Sequence, residues 1–309
     1  MSSLRDEVRE LATGWRWARR SLVPRSAEPW ARKPEPKTFP TDWARTPVVR
    51  ASREAILRYA FKPLVWNETD PHVEGLDRLD GLDPPVMFVA NHASHIDTPL
   101  VLCSLPKQWR QRTAVAAAAD YFFDVRWRAA TTALVFNTFP IERTGGKRAT
   151  ATARKLVREG WNLLVFPEGT RSRDGWVGRW RHGAASLCLD FGIPAVPIAL
   201  RGTFAAMPRG RSWPMRGRYP VSVRFGPSIL PEVSDDFRSM SRKLQEGLAR
   251  LWEEDRSTWW ESLKRDARGE NRLPTGPDAP NWLRVWEATR PLPARRPPRV
   301  WDGKGSRAR

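Results

Sequence analysis

Cysteine is nearly absent from this sequence, and the two residues that occur are far apart. Neither Cys103 nor Cys188 belongs to a Cys-x-x-Cys motif or to a Cys/His pattern with metal-ligand spacing. This excludes a disulfide framework and a zinc site, and no metal is expected. We predict that both thiols are small core residues of a protein in a reducing compartment.

Long hydrophobic runs are also missing. No uninterrupted apolar stretch approaches the ~18 residues that a membrane-spanning helix needs. The opening residues MSSLRDEVRE contain no apolar segment of the kind found in a signal peptide. The sequence therefore predicts a cytoplasmic protein that is at most peripheral to a membrane.

Acidic residues are outnumbered, with 34 Asp and Glu against 53 Lys and Arg and a formal net charge of +19. Such a balance favours a polyanionic partner, which can be nucleic acid, an anionic membrane face or a phosphate-bearing substrate. There are also 17 tryptophans, several of them beside arginine, as in Trp15-Arg16-Trp17. Neighbouring Trp and Arg are typical of interfacial anchoring and equally of stacking on bases, so composition leaves the partner open.

The first 74 residues are predicted to be a membrane-associating segment. Residues 1–23 alternate apolar and basic positions at steps of three and four, which indicates a basic amphipathic helix. That helix could lie on an anionic bilayer or dock on the protein's own core. Residues 24–47 carry six prolines and predict an extended strap, and Ser52–Trp66 predicts a second amphipathic helix whose length Pro63 limits.

Between residues 75 and 263, short apolar runs alternate with helical patterns. The runs predicted as strands are 86–90, 113–118, 161–166, 195–200 and 220–225. Helices are predicted at 120–134, 147–159 and 183–191, with another starting near Asp97, and a long closing helix at 234–263. This order predicts an α/β fold with a mixed, mainly parallel sheet flanked by helices. The basic Pro/Arg/Trp-rich tail, 264–309, is predicted to be disordered or draped over a surface.

A histidine and an aspartate follow the first of these strands. In Asn91-His92-Ala93-Ser94-His95-Ile96-Asp97, His92 can act as a general base while Asp97 fixes its tautomer. Ser94 lacks the G-x-S-x-G context of a nucleophile, so the hydroxyl to be activated is expected to belong to a substrate. In the alternative with a purely structural role, His92 is a strand-end residue and Asp97 or Thr98 is a helix N-cap.

A second candidate site follows the strand at 161–166. The run Glu168-Gly169-Thr170-Arg171-Ser172 offers backbone N–H groups, hydroxyls and a guanidinium to one small volume, which suits phosphate binding. Glu168 must then bond a substrate hydroxyl, orient Arg171 or hold the loop. Arg143 adds a cation at another strand end. Taken singly, either arginine could equally be a solvated surface charge.

Four blocks in fixed order carry more information than any of these residues alone. They are NHASHID at 91–97, FPIER at 139–143, FPEGTRS at 166–172 and IPAVPIAL at 193–200. In them, over about residues 75–228, the chain resembles the glycerolipid (lysophospholipid) acyltransferase family of the 1-acyl-glycerol-3-phosphate acyltransferase type. The family often has Lys-Gly after its third block, where this chain has His182-Gly183, which leaves open how the acyl donor's phosphates are held.

The resemblance implies roles for particular residues. His92 would deprotonate the acceptor hydroxyl and Asp97 would orient it, without an acyl-enzyme, while Asn91 and Ser94 would support them. The residues expected to bind substrates are Arg143, Glu168, Gly169, Thr170, Arg171 and Pro194. The reaction's energy would come from a thioester, so no cofactor is expected beyond acyl-CoA or acyl carrier protein as co-substrate.

The sequence thus predicts an O-acyltransferase that uses a lysophospholipid, most readily 1-acyl-glycerol 3-phosphate, on the cytoplasmic side of the plasma membrane. The expected partners are an anionic membrane surface, the acceptor and the acyl donor, with no nucleic acid. The first alternative is the same chemistry on a glycolipid or another lipid alcohol. Two other classes, a nucleic-acid-binding protein and a catalytically silent membrane-binding protein, explain the charge but not the four blocks.

Overall fold

A computed structural model describes residues 40–118, 126–141 and 151–293. One seven-stranded sheet lies at its centre. Its strands are β1 (Thr69–Glu74), β2 (Met87–Ala90), β3 (Thr113–Ala118), β4 (Thr138–Ile141), β5 (Asn162–Val165), β6 (Ala195–Arg201) and β7 (Tyr219–Phe225).

The strand order is β1-β7-β6-β2-β5-β3-β4, and every neighbouring pair is parallel except β6 and β7. The predicted mixed, mainly parallel sheet is therefore confirmed. Two strands were not among the runs predicted as strands, although the placing of Arg143 at a strand end implied the second of them. The edge strand β1 contains Pro71 and alternating charges instead of an apolar run, and prolines and charges are tolerated at an edge. β4 is only four residues long.

Helices cover both faces of the sheet. They are α1 (Pro47–Ile56), α2 (Lys62–Glu68), α3 (Asp97–Ser104), α4 (Lys107–Arg110), α5 (Arg126–Phe136), α6 (Ala151–Arg158), α7 (Gly183–Phe191), α8 (Thr203–Ala206), α9 (Phe237–Arg256), α10 (Trp259–Ala267) and α11 (Asn281–Ala288). The prediction for 183–191 matches α7 residue for residue. The predictions for 120–134 and 147–159 match α5 and α6 where the structure describes them.

Two hydrophobic cores lie on opposite faces of the sheet because side chains alternate along a strand. In β2, Phe88 and Ala90 join a core shared with α1 to α5, whereas Met87 and Val89 join a core shared with α6, α7 and α9. Cys103 is buried in the first core and Cys188 in the second, both as unpaired thiols. Their predicted role as small core residues is confirmed.

The second amphipathic helix is longer than predicted. It runs as one helical segment from Pro47 to Glu68, and Pro63 does not end it. A π-helical turn, Leu57–Phe61, precedes the proline. Such a wider turn accommodates a ring that would otherwise collide with the preceding turn of an α-helix.

The predicted long closing helix is confirmed, but it ends at Arg256 instead of 263, and a second helix follows it. α9 begins after Asp236, whose side chain accepts hydrogen bonds from the N–H groups of Arg238 and Ser239 in a capping box. It ends at Arg256, and Thr258 caps a new helix, α10, by accepting from the N–H of Glu261. Apolar spacing continues across this break, so periodicity alone did not reveal it.

The structure describes the tail from 264 to 293. It contains α11, so of the two alternatives predicted for the tail, disorder is wrong for 281–288. The indole N–H of Trp176 donates to the carbonyl of Arg284 at 3.0 Å, which drapes the segment over the loop that follows β5. The extended strap predicted for 24–47 is wrong over its described part, because Asp42–Arg45 forms a 3₁₀ helix and α1 begins at Pro47. The predictions for 1–23, for the rest of the strap and for 294–309 lie outside the described residues, and the domain boundaries after 74 and 263 stay predictions.

None of the helices in the described ranges combines the length and the apolar character needed to cross a bilayer.

Arg53 provides a test of what ties α1 to the rest of the fold. It is buried, and its guanidinium donates to the carbonyls of Leu134 at 2.7 Å, Ala133 at 3.0 Å and Ala44. Burial lowers its pKa to about 10, so it stays cationic at neutral pH. We expect Arg53→Met to lower the free energy of unfolding by ~2–4 kcal/mol, because three buried carbonyls lose a charged donor.

The measurement is urea unfolding, with Arg58→Met as the control. Arg58 lies on the exposed side of the same helical segment, so its loss is expected to change stability by less than ~0.5 kcal/mol. Equal stabilities of the two variants would refute the role given to Arg53.

Candidate active site

The candidate site lies where two neighbouring parallel strands end. β2 ends at Ala90, two residues before His92, and β5 ends at Val165, three residues before Glu168. Parallel strands deliver their carboxyl ends to one edge of the sheet, where open α/β sheets bind ligands. The two motifs singled out in the sequence therefore meet at one place.

His92 and Asp97 form a hydrogen-bonded pair. His92 Nδ1 lies 2.9 Å from Asp97 Oδ2, and the aspartate is fully buried. The same oxygen accepts the N–H groups of Ala93 at 2.7 Å and Ser94 at 2.8 Å. A carboxylate accepts hydrogen bonds, so this arrangement assigns the proton to Nδ1 and leaves Nε2 free to accept one.

Asp97 occupies the first position of α3, not its N-cap. The N-cap residue is Ile96, so the alternative in which Asp97 or Thr98 merely caps the helix does not describe the structure. The carboxylate instead bends the loop before the helix back towards it. This bend brings His92 within hydrogen-bonding distance of Asp97, which lies five residues later in the sequence.

The His92 ring is fixed on its other side by Phe166. The two rings stack with centroids 4.2 Å apart and an interplanar angle of 22°. The histidine side chain keeps 18% of its surface exposed, so a ligand can reach it. Packing and hydrogen bonding together hold the imidazole in one orientation.

Glu168 joins the two motifs through its carboxylate. Its Oε1 accepts the N–H of His92 at 2.8 Å, and its Oε2 accepts the N–H of Gly178 at 2.9 Å. Burial raises the pKa of this carboxyl to about 7, although the two backbone hydrogen bonds act in the opposite direction. Of the three roles the sequence left open, the contacts are those of a residue that holds the loops. Its predicted contact with substrate stays a prediction.

A second link joins the loops through Ser172. Its N–H donates to the carbonyl of His92 at 2.8 Å, so both backbone groups of His92 bond to the FPEGTRS block. Gly169 makes the turn possible with φ +68°, a conformation that favours glycine. The N–H of Gly169 closes this turn on the carbonyl of Phe166 at 3.0 Å.

The other residues of the two loops that are predicted to bind substrate differ in exposure. Arg171 is half-buried, and it is near enough to His95 to help lower the pKa of that imidazole to about 4, a shift due first to burial. Thr170 is exposed. Arg143 lies outside the described residues; β4, which precedes it, ends at Ile141 at the same edge of the sheet.

Asn91 and Ser94, the predicted supporting residues, both form hydrogen bonds to distant parts of the chain. The Asn91 side chain donates to the carbonyl of Leu200 at 2.9 Å and accepts its N–H at 2.8 Å, which continues the β2–β6 pairing. The hydroxyl of Ser94 donates to the carbonyl of Met207 at 2.8 Å. Both side chains brace the loop that carries His92.

Pro194 lies at the other end of the sheet from the remaining site residues that the structure describes. It precedes β6, and its carbonyl accepts the N–H of Met87 at the start of β2. His92 follows the opposite end of β2, so the length of the parallel pair β2–β6 separates the two. The expected contact of Pro194 with a substrate stays a prediction.

Sequence reasoning missed Arg284, which supports the FPEGTRS block from the tail. Its guanidinium donates to Asp174 Oδ2 at 2.7 Å and to the carbonyl of Pro277 at 2.7 Å. Asp174 Oδ1 in turn accepts the hydroxyl of Ser172 at 3.0 Å. The contact spans 110 residues of sequence, and one arginine among many in a basic tail gave no signal of it.

Within the three described ranges, no three side chains of His, Cys, Asp or Glu are grouped so that they could hold a metal ion.

Comparison with known proteins agrees with this site. Residues 70–201 match the family model described as Acyltransferase, and they include β1 to β6 with both loops of the site. Over this segment, which is less than half of the chain, the sequence is similar to the acyltransferase family.

The curated relatives narrow the resemblance. A chloroplastic 1-acyl-sn-glycerol-3-phosphate acyltransferase of Brassica napus is 31% identical over 143 residues, which are 45% of this chain and 39% of that protein. A 1-acyl-sn-glycerol-3-phosphate acyltransferase of Chlamydomonas reinhardtii is 32% identical over 46% of this chain and 42% of its own length. The alignments with these two relatives thus span about two fifths of their length.

A solved structure supports the fold. The 1-acyl-sn-glycerophosphate (LPA) acyltransferase PlsC from Thermotoga maritima superposes with a TM-score of 0.55 at 22% identity, covering 71% of this chain and 88% of that one. At this identity the likeness concerns the fold alone. The domain is thus of the acyltransferase fold, and its sequence resembles the 1-acylglycerol-3-phosphate O-acyltransferases.

Glu168 gives a pH-dependent prediction. Its carboxyl has a pKa of about 7 in the folded protein, against 4.5 for an ordinary glutamate. The stability linked to this proton is complete below about pH 4.5 and is lost as the pH rises through about 7. We expect the difference in unfolding free energy between the wild type and Glu168→Gln to fall by ~1–3 kcal/mol between pH 5 and pH 8.

Urea unfolding of both proteins at four pH values measures this difference. Subtraction of the glutamine variant removes the titration of all other groups. A difference that stays constant with pH would show that the carboxyl titrates normally.

Proposed function

We propose that this protein is an O-acyltransferase that moves a fatty acyl group from a thioester donor to the free hydroxyl of 1-acyl-glycerol 3-phosphate, which gives phosphatidic acid. The donor is acyl-CoA or an acyl carrier protein. The observation that carries the proposal is the His92–Asp97 pair at a reachable strand end. The names of the relatives support the acceptor.

The nucleophile in this reaction is the substrate's own hydroxyl. Ser94, the hydroxyl nearest to His92 in sequence, is fully buried and donates to the carbonyl of Met207. It is therefore committed to holding the loop. A base without a partner nucleophile on the protein suits direct transfer to an acceptor alcohol.

The chemistry follows from the orientation of the imidazole. Asp97 keeps the proton on Nδ1, and Nε2 takes the proton of the acceptor hydroxyl as its oxygen attacks the thioester carbonyl. The tetrahedral oxyanion that forms needs hydrogen-bond donors. It collapses by breaking the carbon–sulfur bond, and the imidazolium returns its proton to the leaving thiolate. The buried carboxylate stabilises the imidazolium between these steps.

The acceptor's phosphate is proposed to bind beside this base. Arg171 follows the turn at Gly169 in the loop that is bonded to His92 on both sides. A guanidinium can hold two phosphate oxygens at once, which fixes the position of the glycerol hydroxyl. Arg143, predicted from the sequence, would add a second cation.

The protein is further proposed to work on an anionic membrane, at the cytoplasmic side of the plasma membrane. Its net charge of +19 favours such a surface. Four tryptophans on its last two described helices are more than half exposed, a disposition suited to the interface between lipid and water. They are Trp259, Trp260, Trp282 and Trp286.

Substitution of the catalytic pair tests the mechanism. With labelled acyl-CoA and 1-acyl-glycerol 3-phosphate, we expect His92→Ala to lower kcat at least 1000-fold because general-base catalysis and orientation are lost together. Asp97→Asn is expected to lower kcat by ~100-fold or more through the wrong tautomer. KM for the acceptor should change less than threefold in both variants.

Thermal unfolding of each variant separates loss of chemistry from loss of fold. A panel of other lysophospholipids, a monoacylglycerol and a glycolipid identifies the acceptor. Full activity in His92→Ala would exclude the mechanism, and a wild type that transfers acyl groups only to other acceptors would exclude 1-acyl-glycerol 3-phosphate.

Flotation with lipid vesicles tests the membrane partner. We expect the protein to float with vesicles that contain phosphatidylglycerol at 0.1 M salt and to float much less with pure phosphatidylcholine, because charge provides most of the attraction. Replacement of Trp282 and Trp286 by serine should weaken binding at least threefold. Equal flotation with neutral and anionic vesicles would contradict an electrostatic attachment.

A further inference from the structure

An arginine-rich loop follows the last sequence block. It runs from Pro208 to Arg218, between α8 and β7, and is called the basic loop below. Its sequence PRGRSWPMRGR contains four arginines and no acidic residue, and all four arginines are exposed. It lies after the segment 70–201 that matches the acyltransferase family.

The basic loop starts at the catalytic motifs. The carbonyl of Met207, directly before it, accepts the hydroxyl of Ser94 at 2.8 Å. The guanidinium of Arg209 donates to the backbone carbonyl of Arg171 at 3.3 Å. One end of the loop is therefore bonded both to the NHASHID block and to the FPEGTRS block.

The rest of the basic loop is also held in place. The N–H of Met215 donates to the carbonyl of Ala206 at 2.7 Å and closes the loop at its base. Further along, the indole N–H of Trp213 and the guanidinium of Arg218 each donate a hydrogen bond to a residue of α2. The arginines are thus presented by a fixed backbone.

Electrostatics around His95 shows that Arg209 and Arg171 act on the same small volume. His95 lies three residues after His92 and is partly buried. Burial is the main reason that its pKa falls to about 4, and the charges of Arg171 and Arg209 add to the effect while that of Asp97 opposes it. At neutral pH the imidazole is uncharged, and Arg171 and Arg209 contribute positive charge beside it, together with Arg181, whose guanidinium lies against Gly169.

We propose that Arg209 and Arg171 form one phosphate-binding site at the entrance to His92. Two guanidiniums can surround the oxygens of a phosphate ester and hold it at a set distance from the base. The proposal rests on the acyltransferase function above. The shared chemistry is a phosphate ester, carried both by the acceptor and by the nucleotide part of an acyl-CoA donor.

Steady-state kinetics of Arg209→Gln test this site against a matched control. Arg211→Gln removes the same charge from an exposed position two residues away on the same loop. We expect Arg209→Gln to raise KM for one phosphate-bearing substrate about tenfold, since a charge-assisted contact is lost. Its kcat should remain within twofold, and Arg211→Gln should match the wild type.

Substrates without phosphate identify the source of the phosphate. If the site holds the acceptor, KM rises for 1-acyl-glycerol 3-phosphate but not for a monoacylglycerol. If it holds the donor, KM rises for acyl-CoA but not for acyl-pantetheine. If the wild type is active and Arg209→Gln and Arg211→Gln have the same KM values, the proposal is overturned. It is also overturned if Arg209→Gln raises KM equally for the substrates that carry no phosphate.

A binding measurement keeps the test independent of turnover. Glycerol 3-phosphate and adenosine 3′,5′-bisphosphate are titrated into the wild type and both variants, and tryptophan fluorescence is followed. Weaker binding of either compound to Arg209→Gln alone supports the phosphate site even if the wild type transfers no acyl group. Identical binding curves for all three proteins reject it, and thermal unfolding verifies that the variants are folded.

Discussion

The buried carboxylate of Asp97 is the group on which the arrangement of the site depends. One of its oxygens accepts His92 Nδ1 and the N–H groups of Ala93 and Ser94. Burial of a charge is costly unless it is hydrogen-bonded, so these donors are required for the folded state as well as for orientation. The turn that meets this requirement also sets the direction of the imidazole. Stability and chemistry therefore share one interaction.

Glu168 solves a different problem at the same edge. The two loops leave separate strands, and nothing in a parallel sheet fixes how loops lie relative to each other. Its two oxygens bond to backbone N–H groups of His92 and Gly178, and Ser172 returns a bond to His92. Arg171, which is proposed to bind phosphate, lies in a loop that is thereby fixed relative to the base. Arg284 extends the same bracing outwards from the tail through Asp174.

The features that could be predicted from the sequence depend on residues close together in the chain. The features that could not be predicted depend on contacts between residues far apart in the chain. The strand before His92 and helix α7 follow from periodicity within a few residues, and the His92–Asp97 pair spans only five. The break at Ser257-Thr258 falls inside a continuous apolar pattern, and β1 has a sequence that only an edge position permits. The partners of Glu168 and Arg284 lie up to 110 residues away, and such contacts depend on the packed sheet.

The antiparallel pairing of β7 with β6 has a consequence for how such a domain can change over time. A parallel strand needs a crossover to the far edge, but an antiparallel strand starts at the edge where its predecessor ends. Residues 202–218 therefore remain beside the site. An insertion or substitution in this connection alters what the entrance offers to a substrate and leaves the paired strands in register. Selection can thus retune the entrance of the domain independently of its catalytic base.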